Sequence, residues 1–447
     1  MEIAHIAVAP QETLGPVRIM NAVNNGPMKR SCDQSRDNFA AYAALEIPYA
    51  RLHDAALCNS YGGQHTVDIS AIFPDFSRDA DDASAYDFTL TDDYLATMRR
   101  AGTEPFFRLG QAIEHWIKKY GVNPPADFGK WAAICEHIVR HFNEGWANGF
   151  HWNIQYWEIW NEPDLGVRAD GRPSPTWTGT KEQFFELYRL TATRLKQAFP
   201  ALKIGGPALA GPHGWTDDFL AFLRETNTPL DFFSWHVYTM EPSVMTEFAV
   251  WVKERLVKYG FTQTESILNE WNYVRGWTDE WVYSLRVESG DLNYKGAAFI
   301  AAVMCACQQV PLDMLMFYDA RVTCLMNNLF DRISLEPLRG YYPFYAWNKL
   351  RHLGSAAAVR AENAADLYTT AAVGPDGRLG LLLARYNNDD NVTMPKSVAL
   401  ALPAGRAPVC HLTDETRLYT ETPLDQNDAG EWVLTLKPNA FAYIEMA

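Results

Sequence analysis

Through the first three quarters of the chain, short runs rich in β-branched and aromatic residues alternate with longer stretches whose apolar residues recur every three or four positions. The short runs fall at residues 18–24, 49–55, 104–110, 154–160, 203–210, 231–238, 265–271 and 314–320. The stretches between them have helical period. Within 127–142, Phe128, Trp131, Ile134, Cys135, Ile138 and Phe142 make one apolar stripe. Residues 180–199 open on Thr180, a good N-cap, and close just before Pro200. Residues 33–45, 91–101 and 340–353 are patterned alike. Strands alternating with helices imply parallel βαβ units, and eight in series predict an α/β chain closed into a (β/α)8 TIM barrel.

After Gly354 the helical stripes stop. Short alternating runs follow at 367–373, 379–386, 397–402, 431–436 and 441–445, separated by the turn signals Pro375-Asp376-Gly377 and Asn387-Asn388-Asp389. The division this predicts is a barrel over 17–354 and an accessory β-sandwich over 355–447. Residues 1–16, of which 2–8 alternate, are expected to add a strand to the sandwich. The segment 56–87 is a long loop after the second strand, carrying Gly62-Gly63 and several aspartates. In a barrel it falls on the catalytic face, where it is expected to wall a pocket.

Composition narrows the partners. The 447 residues carry a formal charge of −15, which repels a phosphate backbone and argues against nucleic acid. No apolar stretch approaches the roughly 20 residues a membrane span needs, and 1–10 lack the pattern of a secretory signal. A cytoplasmic enzyme is the expectation, with its oligomeric state left open, a homo-oligomer included. The 7 cysteines are scattered, without metal-type pairing or a disulfide framework. Aromatic residues reach 13% of the chain, enough to stack sugar rings as well as to fill a large core.

Two strand ends carry candidate chemistry. Tyr156-Trp157-Glu158-Ile159-Trp160-Asn161-Glu162-Pro163 closes the fourth strand, and Ile267-Leu268-Asn269-Glu270-Trp271-Asn272 closes the seventh. These strands face each other across an eight-strand barrel. Glycoside hydrolysis with retention needs two carboxyls about 5–5.5 Å apart, one to protonate the leaving oxygen and one to attack the anomeric carbon. Glu162 is the expected acid/base and Glu270 the expected nucleophile. Pro163 is expected to bias Glu162 toward extended backbone. Taken singly, each glutamate could be a structural ion-pair member; the pair at these two strand ends points to catalysis.

Trp160-Asn161-Glu162-Pro163 followed by Asn269-Glu270-Trp271-Asn272 resembles the clan of barrel glycosidases with the acid/base after strand four and the nucleophile after strand seven. Within that clan the chain is similar to glycoside hydrolase family 39, the family of β-xylosidases and α-L-iduronidases. Supporting marks are Asn24-Asn25-Gly26-Pro27, Arg51-Leu52-His53-Asp54 and Ser234-Trp235-His236-Val237-Tyr238. The resemblance implies a xylosidase-like retaining enzyme on plant-type or pentose-containing oligosaccharides, working without a cofactor; exo action is the expectation from the long loop after the second strand, and β-xyloside, α-L-arabinoside and disaccharide-releasing specificities all stay open. It also implies that Asn161 hydrogen-bonds the 2-hydroxyl and that Tyr238 orients the nucleophile.

Other neighbours follow from position. Arg51 and His53 share a face of the second strand by alternation, the first to hold Glu270 ionised and the second to bind a sugar hydroxyl. A structural arginine and a core histidine are the alternatives. His236 shares the face of Tyr238 and is expected to contact substrate. Asp319 and Arg321 end the eighth strand, either lining the pocket or forming an ion pair in the barrel. Glu158 reads as a buried structural carboxylate. The run Asp75, Asp79, Asp81 and Asp82 lacks the pattern of a calcium loop, and no His/Glu cluster has zinc spacing, so no metal is expected. An open-cleft endo-glycanase and a non-catalytic carbohydrate-binding barrel are the competing readings.

Overall fold

The computed structural model describes residues 3–28, 35–53, 66–111, 121–166, 175–277, 281–322, 326–405 and 407–446. Strand β1 (Ala4–Pro16) precedes eight parallel strands. These are β2 (Ile19–Asn24), β3 (Tyr49–Arg51), β4 (Glu104–Leu109), β5 (Tyr156–Ile159), β6 (Lys203–Leu209), β7 (Phe232–Thr239), β8 (Glu265–Tyr273) and β9 (Met314–Phe317). They close into a barrel in sequence order, with β9 pairing back onto β2. Each predicted run contributes one strand.

Two long helices between them carry side-chain caps. Helix Phe128–Glu144 is capped by Asp127 and ends on left-handed Gly145, and its stripe from Trp131 to Phe142 is buried. Helix Lys181–Ala198 begins with a full capping box between Thr180 and Gln183. The pattern at 33–45 gives a shorter helix, Phe39–Ala43, and residues 33–34 lie outside the described residues. So do 56–65 of the predicted long loop; its remainder is partly ordered as helix Ile69–Ile72 and the turn Ala83–Ala85. The acidic run there is a solvated turn, in which Asp82 accepts from Ser84 and pairs with Arg78.

Inside the barrel, side chains stack in layers. Ala22, Phe106, Tyr156, Phe232, Ile267, Met314 and Met316 form an apolar floor. Two residues further along their strands, the same inward parity brings Asn24, Arg108, Glu158 and Ser234, all fully buried, with Arg51 joining them from β3. The interior therefore changes from apolar to charged toward the carboxyl ends of the strands.

The remaining strands are β10 (Ser355–Glu362), β11 (Leu367–Val373), β12 (Leu379–Arg385), β13 (Lys396–Ala401), β14 (Val409–Thr413), β15 (Thr420–Thr422), β16 (Asp425–Gln426), β17 (Trp432–Leu436) and β18 (Ala440–Met446). With β1 they form one ten-stranded sheet, mostly antiparallel, in the order β15-β14-β18-β12-β11-β10-β1-β13-β17-β16. Leu400 and Leu434 near one end share a core with Cys410 and Leu412 near the other, so the sheet curls over itself into the accessory β-domain. β1 pairs with β10 antiparallel and with β13 parallel, as the alternation at the start of the chain anticipates.

Candidate active site

Three carboxylates meet above the apolar floor, and one guanidinium ties two of them together. Arg51, fully buried at the end of β3, donates from Nε to Glu158 Oε2 at 2.5 Å and from Nη1 to Glu270 Oε1 at 2.7 Å. It also donates from Nη2 to Asn161 Oδ1 at 2.5 Å and from Nη1 to Asn24 Oδ1 at 3.2 Å. The planar fork of arginine suits this many acceptors; a lysine would reach fewer. Glu158 has its other oxygen filled by Ser234 at 2.6 Å and Asn269 at 2.5 Å. Fully buried, with both oxygens held by Arg51, Ser234 and Asn269, Glu158 has the setting of a structural carboxylate.

Glu270 sits on β8 where the ladder slips. Trp235 pairs with Leu268 but His236 pairs with Glu270, leaving Asn269 as an extra residue. The bulge lets two consecutive residues reach the interior, Asn269 toward Glu158 and Glu270 toward the site. Tyr238 donates its hydroxyl to Glu270 Oε2 at 2.7 Å, so both nucleophile-candidate oxygens hold a donor. Burial pushes the Glu270 carboxyl above the ordinary range; Arg51 and Tyr238 oppose this, and nearby Glu162 adds to it. The expected pull of Arg51 is present, and burial outweighs it.

Glu162 follows β5 in a turn that departs from expectation. Trp160 and Glu162 have φ of 72° and 45°, left-handed rather than extended, despite Pro163. Tertiary bonds override the local preference. The Glu162 amide donates to Ala208 O at 2.7 Å, and Thr176 Oγ1 donates to its carbonyl. Strained backbone held this way is common at functional sites. Two residues on, Asp164 accepts from the Ala210 amide at 2.9 Å, and burial, more than the neighbouring Glu162 charge, lifts its carboxyl to about 7.

His236 bridges the two candidate carboxyls: its Nδ1 lies 2.7 Å from Glu162 Oε1 and 3.5 Å from Glu270 Oε2. Burial lowers the imidazole to about 4, against the pull of Glu270 and with a further push from Arg51, so the ring is neutral at pH 7. One oxygen or nitrogen from each of Glu162, His236 and Glu270 lies within 4.8 Å of the other two. The linear spacing concealed this cluster because its members come from three different strands. Its atoms have the chemistry of metal ligands, yet His236 is engaged with Glu162 and the Arg51 charge already sits on Glu270. Those contacts favour a hydrogen-bonded site over a cation site.

The other expected residues are also placed. Asn161 is buried beside Glu162 with its amide oxygen on Arg51, while its Nδ2 has no hydrogen-bond partner among the described residues. His53 is buried with its ring 6.0 Å from Tyr318, and Tyr318 lies edge-on to Tyr238 at 6.3 Å. Asp54 lies outside the described residues. Asp319 and Arg321 form a buried ion pair at 3.4 Å, and Asn25 donates to Asp319 at 3.2 Å. Sequence reasoning missed Tyr318, Ser234, Asn24 and Asn269 as parts of the site. The parity of 234 with 236 and 238 was a usable signal for Ser234; the bulge that turns Asn269 inward left none.

Fold and site together define a (β/α)8 barrel with two facing carboxyls at the carboxyl ends of its fourth and seventh strands. The sequence model of the glycosyl hydrolases family 39 matches residues 42–325, and the chain belongs to that family. It is 30% identical over 197 residues to a β-xylosidase of Geobacillus stearothermophilus, covering 41% of this chain and 36% of that protein. A β-xylosidase of Caldicellulosiruptor saccharolyticus is 27% identical over 212 residues, covering 45% and 38%. The matched stretch thus spans little more than a third of either relative. Among solved structures, a glucosidase from Croceicoccus marinus superposes with a TM-score of 0.79 at 22% identity, covering 99% of this chain and 98% of that one. A monomeric β-xylosidase from Caulobacter crescentus CB15 gives 0.69 at 17% identity, covering 99% of each. At such identities these two speak to the fold.

Proposed function

We propose that the chain is a retaining, exo-acting glycosidase of β-xylosidase type, releasing a terminal pentose from oligosaccharides by double displacement. The observation that carries this reading is the approach of Glu162 and Glu270, each buried and with oxygens within 4.8 Å of one another and of His236. That separation leaves no room for a water between acid and base, as inversion would need, and suits direct attack. In the first step Glu162 gives its proton to the leaving oxygen while Glu270 attacks the anomeric carbon and forms a glycosyl ester. In the second, Glu162 takes a proton from water as that water displaces Glu270. Tyr238 and Arg51 hold the attacking carboxylate oriented. The unpartnered Asn161 Nδ2 is a donor for the 2-hydroxyl.

His53, Tyr318 and the Asp319–Arg321 pair are assigned to the wall around the reacting sugar, and the division into a barrel at 17–354 with an accessory unit from 1–16 and 355–447 is kept. The pentose follows the two β-xylosidases among the relatives. No helix among the described residues is long and apolar enough to cross a membrane. Aryl glycosides of the common pentoses and hexoses, followed by proton NMR of the first-formed product, test the proposal. Turnover of the β-xyloside with the anomeric configuration kept is expected. An inverted first product refutes the double displacement, and no turnover across the panel refutes the glycosidase reading.

A further inference from the structure

The turn that carries Glu162 leaves β5 and is fastened to the end of β6 at two points. The Glu162 amide donates to Ala208 O at 2.7 Å, and the Ala210 amide donates to Asp164 Oδ1 at 2.9 Å. In a parallel ladder a residue donates to one residue of the adjacent strand and accepts, through its own carbonyl, from the residue two further on. Glu162 makes the first of these bonds with Ala208, and the second would bring the Ala210 amide to its carbonyl. That carbonyl accepts instead from the Leu165 amide at 3.0 Å and from Thr176 Oγ1. Asp164 supplies the missing acceptor with its carboxylate. The backbone can therefore turn away at Glu162 while the sheet contact to β6 is kept.

The loop after β6 is shaped around this carboxyl. At Gly214 an added Cβ would stand 2.6 Å from Asp164 Oδ2, so a side chain there would push the carboxyl off its seat. Burial lifts the group to about 7 against the amides of Ala210 and Gly211, and the Glu162 charge adds to the rise. Such coupling is mutual: a charged Asp164 makes Glu162 keep its proton to higher pH. The other ionisable groups that face Glu162 are His236 from β7 and Glu270 from β8. Arg51 from β3 is joined to Glu270 and to Asn161. His236 is neutral above about pH 5, and Glu270 governs the acid limb of the pH profile. The alkaline limb is left to Glu162 and Asp164.

We propose that Asp164 is a positioning residue for the acid/base: it fastens the turn that carries Glu162 to β6 and stands beside it as the negative charge that helps it hold its proton for the leaving oxygen. This rests on the glycosidase reading of Glu162 and Glu270. The test uses full-length Asp164→Asn and Asp164→Ala, with kcat/KM measured on a dinitrophenyl and on an unsubstituted phenyl glycoside of the sugar the parent turns over best. Asparagine keeps an acceptor for the Ala210 amide and removes the charge; alanine removes both. In Asp164→Asn the alkaline limb on the phenyl glycoside should move to lower pH by about 0.5–1 unit. In Asp164→Ala the loss should reach about 10- to 100-fold on the phenyl glycoside and stay within about threefold on the dinitrophenyl one, whose leaving group needs no proton. A residue that served the fold alone would lower both substrates alike and leave the limb in place. An unmoved alkaline limb in Asp164→Asn overturns the proposal, as does a loss in Asp164→Ala that is equal on the two substrates or absent. Circular dichroism identifies a variant that fails to fold; if that is Asp164→Ala, the limb of Asp164→Asn, which keeps the hydrogen bond, decides alone. Failure of the glycosidase reading shows elsewhere, as absent turnover of every aryl glycoside by the parent.

Discussion

Tyr238→Phe removes one oxygen from the site and leaves the ring that packs against Trp277 and Tyr318. The lost contact is a 2.7 Å bond from a hydroxyl to Glu270 Oε2, while Arg51 keeps its hold on Oε1. A hydrogen bond to a charged group contributes about 1.5–3 kcal/mol. An O–H donor favours the ionised carboxylate, so deleting it raises a carboxyl that burial already holds high. At about 1.4 kcal/mol per pH unit, the acid limb of kcat/KM should move upward by about 1–2 units. His236, held down to about 4, is neutral from about one pH unit above that value, so the shift of the limb read there reports Glu270. The assay is initial rates on an aryl xyloside from pH 4 to 9, with the near-ultraviolet circular dichroism of both proteins compared. Below the parent limb the loss should approach 10- to 100-fold, shrinking toward alkaline pH. An acid limb that stays in place, or moves to lower pH, refutes the role given to Tyr238.

Glu162→Ala should lose most activity on xylosides with poor leaving groups and much less on activated aryl xylosides, and azide should restore turnover by entering the vacated space; equal loss on all leaving groups with no azide response would place the acid elsewhere. Glu288 is 1% exposed, both its carboxyl oxygens lack a hydrogen-bond partner among the described residues, and burial raises it to about 7 against the weak pull of Arg332 at 3.8 Å. Its neutral form suits the fold, so the associated stability is full below the ordinary carboxylate range and is lost as pH rises toward 7. Glu288→Gln should therefore match the parent in urea unfolding at pH 4 and exceed it at pH 8, by on the order of 2–3 kcal/mol; equal stability at pH 8 would contradict the burial argument.

The barrel could be read from the sequence because each of its strands is a short apolar run set off by helical stripes, and the order of such units admits few closures. The accessory sheet was harder. Strand β10, Ser-Ala-Ala-Ala-Val-Arg-Ala-Glu, is alanine-rich and reads as a helix former, yet pairing with β1 and β11 makes it a strand. β15 and β16 are exposed, polar and only 3 and 2 residues long, too short to carry a period. In the site, side chains obeying strict alternation were within reach: Arg51 with His53, and His236 with Tyr238. Asn269 was not, because a bulge breaks the alternation where it matters. The left-handed turn at Glu162 was likewise invisible, being imposed by Ala208 and Thr176 from distant segments.

The place of β1 in the accessory sheet has a consequence for how the molecule is made. Its residue His5 pairs with Glu362, a partner made roughly 350 residues later, and its Ala4 pairs with Val398. On the ribosome this strand, with Ala4, Ile6 and Val8 destined for the core, waits without neighbours while the whole barrel is synthesised. It is an open edge for that interval, and exposed edges invite pairing with other chains. The sheet therefore closes last, and in closing it brings segment 386–391 onto Lys295, which donates to Asn388 O and Asp390 Oδ1. A truncated product ending after the barrel would keep Glu162 and Glu270 but leave Lys295 without Asn388 and Asp390, and β1 without a partner on either side. Such a fragment should aggregate, because β1 would present an open apolar edge with no strand of its own chain to cover it.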